Sequence, residues 1–233
     1  MRGSFTFTML RMAEGGWQPS LLLLLGACAL AGCASTTPIA LDAGRVHSPP
    51  LHMTMVLPET WRLLSPREVR DGQVRLKSTN QQLNRVLYQG ADMPLVALGR
   101  KEAGRANFLP TLSWDRYPLG EDRFASSARV AGYLLWHSRQ VVSATQIIGP
   151  ILTVRIGTLD FAWCLIQIPL SFPDGRVFQV EQQFWVRASG TSPVIITASY
   201  DRQDAAAVLP EIHAMLRSVV WEKRGPESSV GSL

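Results

Sequence analysis

The strongest constraint on the fold lies in residues 152–200, where four strand-like segments follow one another with hairpin-length links. The segments are residues 152–156, 159–170, 176–188 and 193–200, separated by Gly157-Thr158, Pro173-Asp174-Gly175 and Ser189-Gly190-Thr191. Proline presets φ and glycine admits positive φ, so Pro173-Asp174-Gly175 is a turn with a mechanism. In the segment 176–188, Phe178, Val180, Phe184 and Val186 fall on one side and Gln179, Glu181 and Gln183 on the other, because side chains alternate along a strand. One sheet face is therefore expected to be covered and the opposite face to be partly polar. Links this short join antiparallel neighbours, since a parallel pair needs a crossover of a dozen or more residues.

Upstream, residues 52–57 read as a strand in which Met53, Met55 and Leu57 alternate with Thr54 and Val56 before the turn Pro58-Glu59-Thr60-Trp61. Ser65-Pro66-Arg67-Glu68 combines an N-cap, proline at the first helical position and a capping-box glutamate, and Asp71-Gly72 is expected to stop this helix after one turn. Residues 73–77 are expected as a short strand with Val74 and Leu76 on one face. Thr79-Asn80-Gln81-Gln82 then opens a helix striped by Leu83, Val86 and Leu87. Residues 95–100 and 111–117 read as two further strands. The main helix is expected over 124–142, with Asp122 as N-cap and Phe124, Ala128, Ala131, Leu134, Leu135, Val141 and Val142 available to a core. Residues 201–221 close the chain as a helix with Leu209, Ile212, Leu216, Val219 and Val220 on one face. Pro210 cannot donate the i→i−4 bond, so the longer part of that helix is expected to start there. Together these elements predict an α+β fold, a mainly antiparallel β-sheet flanked by α-helices.

The N-terminus carries Arg2 and Arg11, then an apolar run over residues 20–32 that is well short of the ~20 residues needed to span a bilayer. It reads as a signal-peptide core. At its end, Leu30-Ala31-Gly32-Cys33 resembles the lipobox of bacterial lipoproteins, an apolar residue and two small ones before the cysteine that is lipidated. A competing match at Leu25-Gly26-Ala27-Cys28 would leave an apolar core of residues 21–25 alone, so Cys33 is the expected attachment site. The resulting division is a signal peptide over 1–32, a lipidated N-terminus and flexible tether over 33–50, one domain over 51–223 and a mobile tail over 224–233. Thr36-Thr37-Pro38 and Ser48-Pro49-Pro50 suit a linker.

Of the 233 residues, 46% are hydrophobic and 18% charged, which excludes a disordered or collagen-like chain. Removing residues 1–32 takes two of the 23 basic and one of the 18 acidic residues, leaving a net charge of +4. Arg62, Arg67, Arg70 and Arg75 around Trp61 read as a solvated face, and no nucleic-acid partner is expected. Cys28, Cys33 and Cys164 are too few for a disulfide framework or a zinc site. Cys164 shares a strand face with Ile166 and Ile168, where desolvation disfavours the thiolate that a nucleophile requires. His47, His52, His137 and His213 show no ligand spacing, so neither a metal nor a cofactor is expected. The chain has no Gly-x-Ser-x-Gly, phosphate-cradling loop or His-Glu-x-x-His, and nothing in the spacing of Asp115, Glu121, Asp122 and Asp160 selects a catalytic pair. Trp163 and Trp185, on the more polar faces of their strands, together with Arg187, form a candidate contact surface. The competing reading of the two indoles is edge packing under a helix.

Three segments resemble the PsbP-like family, which includes DcrB-type envelope lipoproteins: Met55-Val56-Leu57-Pro58-Glu59-Thr60-Trp61, Asn107-Phe108-Leu109-Pro110-Thr111-Leu112-Ser113-Trp114, and Val194-Ile195-Ile196-Thr197-Ala198-Ser199-Tyr200 through Leu216-Arg217-Ser218-Val219-Val220-Trp221. They stand in the family's order across residues 51–223. The resemblance implies an α/β/α sandwich and a binding or assembly role without a shared catalytic centre, and it carries over no functional residue. The expected function is a non-enzymatic envelope lipoprotein that is held to the bilayer by its acylated N-terminus and binds an envelope protein. Ala34 replaces the aspartate that often retains lipoproteins at the inner membrane, so an outer-membrane position facing the periplasm is expected. The alternatives are a small-ligand carrier with its pocket between the sheet and the helix at 124–142, and a hydrolase using dispersed carboxylates.

Overall fold

In the computed structural model, which describes residues 39–75, 94–103, 108–116, 126–172, 175–188 and 193–222, the hairpin-linked segments build one end of a seven-stranded sheet. The chain enters through β1 (Ala40–Asp42), β2 (Arg45–Ser48) and β3 (Met53–Val56), then β4 (Trp61–Leu63) and α1 (Pro66–Arg75). β5 (Val96–Arg100), β6 (Thr111–Arg116) and α2 (Ser127–Val141) follow. The C-terminal half comprises β7 (Gln146–Ile156), β8 (Leu159–Ser171), β9 (Val177–Arg187), β10 (Val194–Asp201), α3 (Ala205–Arg217) and β11 (Val220–Trp221). The large sheet has the order β4-β5-β6-β10-β9-β8-β7, and a small one has the order β1-β2-β3-β11. Every strand pair among the described residues is antiparallel, so the α+β architecture with a mainly antiparallel sheet is the observed one.

Alternation along the strands divides the core in two. Cys164, Ile166, Ile168, Val180, Phe184 and Val186 point to one face, where α2 covers them with Val130, Ala131, Leu134 and Val141. The other face carries Leu98, Leu112, Trp114, Ile196, Ala198 and Tyr200. It is covered by Val208, Ile212, Met215 and Leu216 of α3 and by Val46, Met53 and Met55 of the small sheet. Each fully buried aliphatic or aromatic side chain of this kind stabilises the fold by about 1.5–3 kcal/mol.

Several local readings are corrected by the structure. Residues 40–48, expected inside the tether, form a hairpin whose two loop residues, Ala43 (φ 45°) and Gly44 (φ 73°), both take the positive φ of a type I′ turn. Its second strand buries Val46 and Ser48 and pairs Val46 with Met55 of β3. Trp61, expected in a turn, opens β4 and lies opposite Arg100. The main helix starts at Ser127 with Ser126 as cap, its backbone extended and its hydroxyl accepting from the Arg129 N–H. Asp122 and Phe124 lie outside the described residues, as does the helix expected after Thr79.

Pro210 sits inside α3 instead of at its start, and residues 220–221 are a strand paired with β3, not the end of the helix. An interior proline costs about 3 kcal/mol. Four side chains of α3, Val208, Ile212, Met215 and Leu216, are buried, and at about 1.5–3 kcal/mol each they outweigh it. Pro210 itself is exposed, so its ring meets solvent.

α1 runs on through Asp71-Gly72 to Arg75, so residues 73–75 are helical and not a strand. An interior glycine weakens a helix by about 1 kcal/mol but ends it only where the backbone leaves the helical region. The expected capping box is present: the Ser65 N–H donates to Glu68 Oε2 at 2.9 Å, and the Glu68 N–H donates to Ser65 Oγ at 3.3 Å. The Ser65 backbone N–H, the Arg62 guanidinium and the Ser65 hydroxyl lower the Glu68 carboxyl from 4.5 to about 2. A depressed folded value means that this contribution is complete above about pH 4.5 and is lost as pH falls towards 2. An NMR titration of Glu68 is expected to show a midpoint near 2, and a midpoint near 4.5 would contradict the box.

Candidate contact surface

Trp163, Trp185 and Arg187 share one face of the large sheet, the α3 side, and Trp163 lies directly opposite Trp185. Only part of the expected surface survives. Trp185 is 4% exposed and belongs to the core beneath α3 and the small sheet, which corrects its reading as a contact residue. Arg187 is half-buried at the end of β9, opposite Val194. Trp163 is half-buried and marks the point where the cover ends.

Beyond Trp163 the α3 side of β7, β8 and β9 is exposed at Gln146, Leu152, Val177 and Gln179, while Gln167 and Glu181 between them stay buried. Registered cross-strand partners share a face, so Leu152 stands beside Trp163, Ile148 beside Leu165, Gln146 beside Gln167 and Gln179 beside Pro169. Leu152 is 45% exposed and Val177, on the same face, 59%. On the α2 side β8 and β9 are closed, with Cys164, Ile166, Ile168 and Val180 all buried, whereas Thr153 and Arg155 of β7 are exposed. β7 is the sheet's edge, and a bulge between Ile148 and Leu152 containing exposed Gly149 and Pro150 breaks its ladder. Bulges and prolines at an edge oppose strand addition, so the flat face rather than the edge is the accessible feature.

A polar relay underlies this open half. The Trp163 indole N–H donates to Gln183 Oε1 at 2.9 Å, and Gln183 Nε2 donates to the Tyr200 hydroxyl at 2.6 Å. The hydroxyl is hydrogen-bonded in turn to Glu181, which also accepts from Gln167 Nε2 at 2.8 Å and lies 3.7 Å from Arg202 Nε. Burial, with the adjacent Glu181 carboxylate, raises the Tyr200 phenol well above its ordinary value, so it stays protonated as a donor. Each amide is held in one orientation, because a flip of Gln183 would leave a donor facing the indole N–H and a flip of Gln167 an acceptor facing the Glu181 carboxylate. The sequence marked Trp163 alone; Leu152, Val177, Gln167, Glu181 and Tyr200 were missed, since only strand register brings them together.

The candidate chemical groups elsewhere have structural partners. Burial pushes the Cys164 thiol up to about 12, where a thiolate nucleophile is not formed at neutral pH. Burial lowers His137, whose ring stacks on Tyr133 at 5.6 Å. His47 lies 3.2 Å from Glu222, and His213 is lowered by burial and then by Arg217. Buried Asp115 accepts from the Leu95 N–H, and Asp160 pairs with Arg155 at 3.0 Å. Glu121 and Asp122 lie outside the described residues. Among the described residues no three His, Cys, Asp or Glu side chains stand together as a metal site, and no helix is long and apolar enough to cross a membrane. The space between α2 and the sheet, where a carrier's pocket was considered, is filled by Val130, Leu134, Leu135 and the strand residues facing them.

No family model and no curated protein matches this sequence. Similar solved structures include LpqN, involved in cell envelope biogenesis of Mycobacterium tuberculosis, at 12% identity over 72% of this chain and 82% of that one, with a TM-score of 0.41. Cyanobacterial PsbP (CyanoP) of Synechocystis sp. PCC 6803 is similar at 10% identity over 82% and 98% of the two chains, with a TM-score of 0.44. The Ran-binding protein Mog1p of Saccharomyces cerevisiae is similar at 8% identity over 78% and 96%, with a TM-score of 0.41. At these values the likeness concerns the course of the chain and carries nothing about activity or partners.

Proposed function

We propose that this protein is a lipid-anchored, non-enzymatic component of the bacterial envelope that binds another protein through the open half of its large sheet. The observation that carries the reading is the contrast between the two faces of β7, β8 and β9. On β8 and β9 one face is sealed by α2, while the other side exposes Leu152 beside Trp163 and, at the far end of the strands opposite Ser171, Val177, over a polar floor. An apolar and aromatic centre ringed by carboxamides is the composition of a protein interface. Leu30-Ala31-Gly32-Cys33 supplies the address, and Ala34 favours the outer membrane with the domain facing the periplasm. The buried Cys164 thiol and the paired carboxylates support a binding role over a hydrolytic one.

The test is a photo-crosslinking amino acid placed singly at Leu152, Val177, Thr153 and Trp136 of the full chain in intact cells. Thr153 lies opposite Ala162 on the α2 side of β7, and Trp136 is an exposed aromatic on α2. A discrete adduct of one size from Leu152 and Val177, absent from Thr153 and Trp136, is the expected result. Adducts from Trp136 alone, or the same adducts from Thr153, would place the interface elsewhere.

A further inference from the structure

The hairpin β1–β2 shortens the link between lipid and domain. If Cys33 carries the lipid, the chain from Cys33 to Ile39 has six virtual bonds and reaches at most about 22 Å. The first folded element is β1, at the free edge of the four-stranded sheet, so that sheet is the part of the domain held nearest the bilayer. Its inner face, with Val46, Ser48, Met53 and Met55, is buried on the core. On its outer face, Arg45, His47, Thr54 and Val56 alternate with those residues, and Val220 joins them as the partner of Thr54. Val56 is 43% and Val220 55% exposed.

We propose that the outer face of the four-stranded sheet rests on the phospholipid headgroup layer, with Val56 and Val220 as its apolar contacts. The proposal builds on the acylation of Cys33. A short link confers an effective concentration in the millimolar range, so a contact made by two aliphatic side chains is populated although it would be too weak for a free domain. Arg45 stands opposite Asp42, and His47 lies 3.2 Å from Glu222, so the face offers no unpaired arginine or lysine and the contact is not expected to strengthen with the anionic lipid content of the membrane.

The experiment uses the full acylated chain purified from cells and reconstituted in phosphatidylcholine vesicles that contain headgroup spin-labelled lipid. A fluorophore is attached at Val56→Cys, Val220→Cys or, for comparison, Leu152→Cys, while buried Cys164 stays unlabelled. Strong quenching at positions 56 and 220 with little at 152, and loss of the quenching at 220 when Val56→Asp is added, is the expected result. Equal quenching at all three positions, or quenching at 220 that survives Val56→Asp, would overturn the proposal. A mass spectrum without an acylated Cys33 would overturn the anchoring and this proposal together, whereas an acylated chain with dark lipid contacts only at 152 overturns the docking alone.

Discussion

Trp61→Ala is expected to lower the unfolding free energy by about 3–5 kcal/mol, at the upper end for a core substitution. Trp61 is one of the largest fully buried side chains, and its indole N–H donates to Glu211 Oε2 at 2.7 Å. Arg100 approaches the same carboxylate at 3.2 Å, so the indole, β5 and α3 meet on one group. Alanine would remove the ring and its donor, leaving Glu211 to Arg100 and water. Trp61→Phe keeps most of the packing and is expected to cost the hydrogen bond to a charged group, about 1.5–3 kcal/mol. Urea unfolding measures both: a shifted midpoint at unchanged m reads as stability. A loss below about 1 kcal/mol for alanine would contradict the placement of Trp61 in the core.

The second large effect is expected at Glu181. Its alanine variant strands the Gln167 amide and the Tyr200 hydroxyl, both buried, without their shared acceptor. An unsatisfied buried polar group costs about 1–3 kcal/mol, so a combined loss of about 2–4 kcal/mol is expected, against less than about 0.5 for exposed Gln179→Ala on the same strand face. Equal, small losses at both positions in urea unfolding would show that the relay is not a structural floor. Because Trp163 hangs on Gln183 at the other end of the relay, the Glu181→Ala variant should also weaken the crosslinks from Leu152.

What could be read from the chain depended on how local the deciding physics was. The hairpin-linked strands of the C-terminal half were legible because their turn residues and their two-residue alternation are both short-range. The hairpin β1–β2 was hidden because Arg45-Val46-His47-Ser48 offers one aliphatic side chain, and its burial comes from β3 and the core. Pro210 pointed to a helix start, yet the packing of Val208 and Ile212 on the sheet overrode the local preference. Trp185 entered the contact surface only because Gln183 and Arg187 beside it looked like a solvent face; packing under a helix, its competing reading, is what the structure has. Gln183 is buried only because Trp163 and Tyr200, on two other strands, satisfy its amide. The open half of the sheet was equally out of reach, since its limits are drawn by where α3 and the small sheet stop. Trp163 stood out in the sequence because an indole among carboxamides is unusual in any context.

Lipid anchoring of this domain depends on the chemistry of one residue. Mass spectrometry of the protein extracted from cell membranes should find Cys33 as the first residue of the mature chain, its sulfur carrying a diacylglyceryl group. A mature chain that begins elsewhere, or a Cys33 that remains a free thiol, would contradict it.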